Sequence, residues 1–364
     1  MRNFSDSHRV VIKIGTNLLT KDGKFNTNYV EGISSQIAEL KERGLQVLLV
    51  SSGAIGMGAA ELNLKTRVKD IKMRQACAAI GQPLLMHQYR DSFGAYGLSI
   101  AQVLLTRDVF SNRTTFLNLR NSVETLLSLG IVPIFNENDS VATDEIGSAF
   151  GDNDRLSAMI ASKVDADLLI ILTDIDGLYD SDPRKNLNAS LISSVDEITE
   201  EILAYAGSEG SEFSTGGMKT KLQAVAIAAN AGCKTILAHG SKDDILNRLL
   251  NGEEEGTLFL EGKKLSARTR WILNSVPLGR INIDDGALNA LHNNNSLLPS
   301  GVISVGGVFG EGEVISINGI ANAVSKFTST EIENLIGHHS KEIPNLIGKG
   351  RKDVIARAED IIFL

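Results

Sequence analysis

From residue 9 to about residue 265, short apolar runs alternate with longer amphipathic stretches, and this alternation restricts the fold more than any single motif. Residues 10–14, 46–50, 100–104, 131–135, 168–172 and 235–238 are apolar, rich in β-branched residues or leucine, and bounded by polar or turn-forming residues. Runs of that length and composition are the mark of buried strands. The segments 28–43, 69–94, 112–129, 155–164 and 221–231 between them have helical texture. Strands alternating with helices predict an α/β fold, a three-layer α/β/α sandwich around a mostly parallel sheet. In such sheets ligands gather beyond the C-terminal ends of the strands.

Past Trp271 the texture changes. Residues 280–283, 302–308 and 313–318 read as short strands among glycines, with a helical piece at 330–335. The predicted organisation is a domain over residues 1–265, a linker over 266–277 and a small β-rich domain over 278–364. A chain of 364 residues is long enough for two cores, and 43% hydrophobic with 22% charged residues is a globular composition. The formal net charge of −8 argues against a general nucleic-acid or membrane-surface role. No apolar run nears the ~20 residues that span a bilayer. Met1-Arg2-Asn3-Phe4-Ser5-Asp6 lacks the apolar core of a signal peptide, and Cys77 and Cys233 have no metal-like spacing. The expectation is a cytoplasmic protein with reduced thiols.

Polar residues cluster where the strands end. Lys13 lies inside the first apolar run and is followed by Gly15-Thr16-Asn17. An ammonium group there is costly unless it meets a partner or an anion; the plain alternative is an edge-strand lysine that discourages aggregation. Val50-Ser51-Ser52-Gly53-Ala54-Ile55-Gly56-Met57-Gly58 leads through small residues into a helix, a pocket suited to an anionic oxygen. Gly56-Met57-Gly58 begins like a dinucleotide fingerprint, but Glu61 stands where its last glycine belongs. Asn136-Glu137-Asn138-Asp139-Ser140 and Gly151-Asp152-Asn153-Asp154-Arg155 follow the same architecture. A single Asn or Asp at such a place is ordinarily a helix cap. Two clusters together favour a bound polar substrate, with carboxylates able to hold lysine amines. Thr173-Asp174-Ile175-Asp176-Gly177 reads either as an ordinary Asp-Gly turn or as the lining of a nucleotide pocket. It lacks the ligand spacing of a calcium loop.

Ser214-Thr215-Gly216-Gly217-Met218-Lys219-Thr220-Lys221 places two glycines and two lysines just before a predicted helix over 222–231. A helix start already favours an anion, so lysines are disfavoured there unless an anion is present. A phosphate group satisfies the glycines, the lysines and the helix start at once. The chain has no G-x-x-x-x-G-K-[ST], H-R-D or D-F-G sequence, no G-x-S-x-G elbow and no H-E-x-x-H pair. A phosphoryl-transfer site here must be assembled from separated lysines and backbone amides.

In order and spacing, six segments resemble the amino-acid kinase superfamily, and within it the glutamate 5-kinase family. They are Val11-Ile12-Lys13-Ile14-Gly15-Thr16, Ser51-Ser52-Gly53-Ala54-Ile55, Asn136-Glu137-Asn138-Asp139, Gly151-Asp152-Asn153-Asp154, Leu172-Thr173-Asp174 and Thr215-Gly216-Gly217-Met218-Lys219-Thr220-Lys221. Ser296-Leu297-Leu298-Pro299-Ser300-Gly301 and Gly337-His338-His339-Ser340 look like the PUA domain appended in that family, while the spacer Gly147-Ser148-Ala149-Phe150 departs by its length. The resemblance implies transfer of the ATP γ-phosphoryl group, with Mg²⁺, to the side-chain carboxylate of L-glutamate. The product is then L-glutamyl 5-phosphate, the first intermediate of proline synthesis. By motif, Ser52, Asp139 and Asn153 contact glutamate. Lys13, Thr173, Asp174, Thr215, Gly216, Gly217, Met218, Lys219, Thr220 and Lys221 contact ATP. The catalytic expectation is that Lys13 and Lys221 clamp the transferring phosphoryl group while Asp154 holds them in register. A homo-oligomer, inhibition by proline and a glutamyl phosphate reductase as partner are also implied.

Two other readings compete. Acetylglutamate, aspartate, carbamate and uridylate kinases share the phosphate-binding lysines; the 136–139 cluster and the C-terminal domain favour glutamate. An RNA-binding protein acting through its PUA-like domain is the alternative of another class. Residues 277–364 hold seven Lys and Arg against ten Asp and Glu, with Phe309, Phe327 and Phe363 as their aromatics. A basic face and stacking platforms are both missing from that composition. His338 and His339 are expected to be structural.

Overall fold

The computed structural model describes residues 1–21, 24–64, 66, 68–106, 108–111, 113–141, 153–206, 217–348 and 353–364. The chain divides into two compact units, Met1–Thr106 with Asn118–Leu265, and Arg107–Leu117 with Ser266–Leu364.

The first unit is built on an eight-stranded sheet: β1 Arg9–Ile14, β2 Gln46–Val50, β3 Ile100–Leu105, β4 Val132–Glu137, β5 Leu168–Thr173, β6 Ser194–Val195, β7 Lys234–His239 and β8 Thr257–Phe259. Its spatial order is β3-β4-β2-β1-β5-β7-β8-β6. Neighbours run parallel except β7 and β8, which are antiparallel. The six expected strands are all present, with ends displaced by no more than a residue or two. The strands β6 and β8 went unforeseen because two or three residues carry no periodicity. From β1 the chain moves through β2, β3 and β4 on one side, then returns to place β5 on the other. The order therefore reverses at β1, and in open α/β sheets ligands bind outside the C-terminal strand ends at such a point, here those of β1, β2 and β5.

Five helices matter for the site: α1 Thr27–Glu42, α2 Ala54–Glu61, α3 Ile71–Gly94, α4 Asp154–Lys163 and α5 Met218–Ala229. In α1, Val30, Ile33, Ile37 and Leu40 recur at helical spacing and are buried, while Asn26 caps its start by accepting from the Tyr29 N–H at 3.3 Å. Successive side chains of a strand face opposite ways. Val10, Ile12 and Ile14 of β1 join the core formed with α1 and with Leu85, Tyr89 and Phe93 of α3. Val11 and Lys13 consequently face the other layer, where α4 and α5 lie. Every residue of β5 is buried. Each buried aliphatic side chain contributes about 1.5–3 kcal/mol, so the sheet can carry one charged residue at its centre.

Two corrections concern helix starts. The helix expected over 222–231 begins at Met218, which puts Lys219 and Lys221 inside its first turn. Gly56-Met57-Gly58 belongs to α2, whose N-cap Gly53 has φ +96°. Gly58 serves packing there. A Cβ at Gly58 would lie 1.9 Å from the Cys77 carbonyl oxygen, and one at Gly81 would lie 1.9 Å from that of Ala54. These two glycines set how closely α2 approaches α3.

The second unit carries a five-stranded sheet ordered Val302–Gly307, Gly279–Ile283, Val314–Ile317, Ala321–Val324 and Ile361–Phe363. The pairing of Gly279–Ile283 with Val314–Ile317 is parallel and the others are antiparallel. Ile281, Leu297, Phe309, Ile315, Phe327 and Leu335 form its core. Helix Ala267–Asn274 lies within the 266–277 stretch. His339 caps the turn Ser340–Glu342, and Glu342 Oε2 accepts from the His339 N–H at 2.7 Å, which is a structural role. Among the described residues no helix is long and apolar enough to cross a membrane.

Because a methyl group at Gly81 meets backbone rather than a movable side chain, Gly81→Ala must push α2 from α3. It is expected to destabilise the first unit by about 1–3 kcal/mol, read as a lowered urea midpoint. An unchanged midpoint would show that the two helices are free to spread.

Candidate active site

Lys13 lies one residue from the end of β1, in register with Val50 of β2 and Ile171 of β5. Its side chain is 1% exposed. Burial of an unpaired ammonium group costs several kcal/mol. Here Lys13 Nζ lies 2.8 Å from Oδ1 of Asp154, the fully buried first residue of α4. The other carboxylate oxygen, Oδ2, accepts from Lys221 Nζ at 3.1 Å. Thr220 Oγ1 stands 3.5 Å from that same oxygen and donates to the Gly217 carbonyl at 2.8 Å. One carboxylate thus holds two cations from different elements, and the trio bears one positive charge. Two ammonium groups so little exposed to water suit an anionic ligand. Gly15 keeps the approach open: a Cβ there would stand 3.2 Å from the Leu172 carbonyl oxygen and 3.9 Å from Lys13 Nζ.

Asn153, the residue before Asp154, caps α4 in the left-handed conformation, φ +59°. Asparagine is among the few side-chain-bearing residues that adopt it readily. Its amide does not cap the helix. Instead Nδ2 donates to the Ser51 carbonyl at 2.6 Å and to Asn136 Oδ1 at 2.8 Å, with Ser52 Oγ 3.4 Å away. Asn136 Nδ2 in turn donates to Gln82 Oε1 at 2.8 Å, and Ser51 Oγ shares a 2.9 Å hydrogen bond with the Tyr89 hydroxyl. The ends of β2 and β4 are thereby joined into a neutral cradle of amides and hydroxyls. Consecutive residues, Asn153 and Asp154, link that cradle to the lysine clamp.

A third group closes β5. Thr173 Oγ1 donates to Asp174 Oδ1 at 3.1 Å, and Asn17 Nδ2 donates to Oδ2 at 2.7 Å. Desolvation pushes the Asp174 pKa up, but the Asn17 amide, its own N–H, the Thr173 hydroxyl and the Lys221 charge outweigh it and hold it below the ordinary value. Gly217 caps α5 with no side-chain hydrogen bond, Met218 is half-buried and Lys219 is exposed. The first turn of α5 thus offers N–H groups and lysines together, the composition of a phosphate site.

The sequence-derived residues fall into these groups unequally. Lys13, Asp154, Lys221 and Thr220 form one, Ser52 and Asn153 another, and Thr173 and Asp174 a third that feels the Lys221 charge. Asp139 sits half-buried on the loop after β4, and among the described residues no hydrogen bond joins it to Ser52 or Asn153. Burial raises its pKa to about 6 against the opposing charge of Arg74. Thr215, Gly216, Asp152 and the spacer 147–150 lie outside the described residues. Sequence reasoning noted Asn17 as part of Gly15-Thr16-Asn17 without giving its side chain a role, and passed over Gln82 and Tyr89. Asn17 stands two residues beyond Gly15, the glycine just past β1, which is a usable signal; Gln82 and Tyr89 are ordinary residues of an amphipathic helix.

Removing the shared carboxylate leaves two buried ammonium groups facing each other. Asp154→Ala is expected to cost about 3–5 kcal/mol, measured by urea unfolding at neutral pH. Wild-type stability in that variant would mean the lysines reach water without it.

Residues 8–239 match the amino acid kinase family and residues 279–347 match the PUA domain. The glutamate 5-kinase of Methanococcoides burtonii is 44% identical over 364 residues, covering 98% of this chain and 97% of that one. The glutamate 5-kinase of Thermoanaerobacter sp. (strain X514) is 45% identical over 365 residues, covering 98% of each. Among solved structures, the carbamate kinase from Giardia lamblia bound to AMP-PNP is similar with a TM-score of 0.50 at 16% identity, over 71% of this chain and 100% of that one. That likeness is one of fold. Identity sustained over nearly the full length is a stronger relation: the chain, with its PUA domain, belongs to the amino acid kinase family and stands there among the glutamate 5-kinases.

Proposed function

We propose that this chain transfers the γ-phosphoryl group of ATP to the side-chain carboxylate of L-glutamate, giving L-glutamyl 5-phosphate for proline biosynthesis. The observation that carries the reading is the pair of buried lysines held by Asp154 beside a neutral amide cradle. Two cations and a set of amide dipoles suit a polyphosphate and an amino acid side by side.

The acceptor carboxylate is ionised at neutral pH and needs no general base. The obstacle is repulsion between that carboxylate and the phosphates. Lys13 and Lys221 offset it from two sides, and Asp154 keeps their spacing fixed before substrate arrives, so catalysis rests on positioning and charge. Ser52 and Asn153 orient glutamate, and ionised Asp139 pairs with its ammonium group. Thr173, Asp174, Lys219, Thr220 and the backbone of residues 215–218 receive the nucleotide. Mg²⁺ supplies further neutralisation of the phosphates when bound. Both Asp154 oxygens are engaged by cations, whereas those of Asp174 accept from the neutral Asn17 and Thr173 groups, so among the described residues exposed, ionised Asp174 would suit the hydrated cation.

Within this reading, residues 1–265 form the catalytic domain, 266–277 the linker and 278–364 the PUA domain. A cytoplasmic homo-oligomer, inhibited by proline and delivering its acyl phosphate to a glutamyl phosphate reductase, accords with it and rests on family resemblance.

Hydroxylamine trapping with ATP and Mg²⁺ tests the assignment against glutamate, N-acetylglutamate, aspartate, carbamate and UMP. Hydroxamate from glutamate alone is the expected result, and turnover of another acceptor in its place would overturn it. Lys221→Ala should lower kcat by roughly 10²–10³-fold with little change in glutamate KM; near-normal turnover would remove its role.

Asp139 gives the reaction a pH signature. Its folded pKa of about 6 lies above its ordinary 3.8, so the protonated form is the one folding favours. That contribution to stability is complete below the unfolded value and is lost as pH rises through about 6. Glutamate binding runs the opposite way, because only the carboxylate pairs with an ammonium group. Glutamate KM is therefore expected to climb as pH falls below about 6, and Asp139→Asn should show a raised KM without that dependence. A wild-type profile flat between about pH 5 and 7 would dissociate Asp139 from the substrate.

A further inference from the structure

Gln82 is the residue of the cradle's outer layer whose presence burial alone does not explain. It lies in the interior of α3 at 9% exposure, on the face that carries Cys77, Ala78, Leu85 and Phe93. A leucine there would be easier to bury. Its Oε1 accepts from Asn136 Nδ2 at 2.8 Å. The direction of this bond is fixed by backbone groups, whose donor and acceptor ends are unambiguous. The Glu137 N–H donates to Asn136 Oδ1 at 3.0 Å, so the nitrogen of Asn136 must face Gln82. The Ser51 carbonyl accepts from Asn153 Nδ2, so the nitrogen of Asn153 faces inward, where Asn136 Oδ1 receives its second hydrogen. Both amide hydrogens of Asn153 are thereby used. Its oxygen is the end those bonds leave over, an acceptor suited to an ammonium group and unsuited to an acyl amide oxygen or a carboxylate.

We infer that Gln82 is a positioning residue for substrate selection: through Asn136 it holds Asn153 with its oxygen toward the substrate, so that a free α-ammonium group is recognised. This rests on the proposed reaction with glutamate. Tyr89, two turns further along α3, braces the neighbouring Ser51 by the same face of the helix. Removing the acceptor at position 82 leaves Asn136 Nδ2 buried and unpaired, and the amide chain must rearrange to satisfy it.

The test compares Gln82→Met, which keeps length without a carbonyl, with Gln82→Glu, which keeps an acceptor oxygen in either protonation state. Gln82→Met is expected to raise glutamate KM about tenfold with kcat and the KM for ATP nearly unchanged, and Gln82→Glu to recover most of that loss. A merely structural role would lower thermal stability without splitting the two KM values. An unchanged glutamate KM in Gln82→Met, or an equal rise in the KM for ATP, overturns the inference. Should Gln82→Met fail to fold, Gln82→Asn, whose amide is one methylene too short, is read by the same criteria. A wild-type chain inert toward glutamate refutes the proposed reaction instead. The relay is then judged from the crystal structure of the Gln82 variant, where an unmoved Asn136–Asn153 pair would sink it.

Discussion

A single carboxylate shared by two ammonium groups is the interaction on which the rest of this site depends. Lys13 comes from the central strand and Lys221 from a helix far along the chain, and Asp154 ties the two together. Even at an effective dielectric of ~20, each contact at about 3 Å carries roughly 5 kcal/mol of attraction. Much of that is cancelled by the cost of taking three charges out of water. The trio is accordingly a weak stabiliser and a strong positioner. Apolar residues of equal volume would fold as well, but they would leave nothing for an anion to bind.

The fold supplies this positioner through one short helix. Apart from Arg155, α4 is buried along its length, and its first turn meets the sheet where the strand order reverses. Asn153 stands in a left-handed conformation that costs on the order of 1 kcal/mol for a residue with a side chain. Glycine would adopt it more easily and would sever the link to Ser51 and Asn136. The strain is tolerated because it turns two adjacent side chains in different directions, one toward neutral amides and one toward lysines.

What could be read from the sequence followed how sharply each residue broke its local pattern. Lys13 was legible because a charge interrupts an otherwise apolar strand, and Lys219 and Lys221 because cations oppose the dipole of a helix start. Asp154 was harder, since aspartate at a helix start is also the commonest cap; it emerged only as a member of a polar cluster repeated at successive strand ends. Gln82 broke no pattern, for glutamine is common on helices and its burial is a tertiary fact. The parallel sheet was written in the alternation of runs, whereas β6 and β8 were too short to register. The start of α5 was misplaced because Met218 to Lys221 look polar and glycine-flanked, yet Thr220 returns its hydroxyl to the Gly217 carbonyl and steadies the first turn.

The separation of charged clamp from neutral cradle has a kinetic logic under the proposed reaction. A third cation beside the acceptor carboxylate would bind glutamate tightly, but equally so before and during transfer, which gains nothing in kcat. It would also draw electron density from the oxygen that must attack. Amide dipoles orient the substrate without quenching its nucleophile, and full charges stand where phosphoryl oxygens accumulate charge. Asp154 and Asn153, adjacent in sequence, keep those two kinds of group at a fixed offset. Misplacement by about 1 Å between nucleophile and phosphoryl group is enough to cost two orders of magnitude in rate. An offset set by neighbouring residues on one buried helix is less free to drift than one set by separate loops.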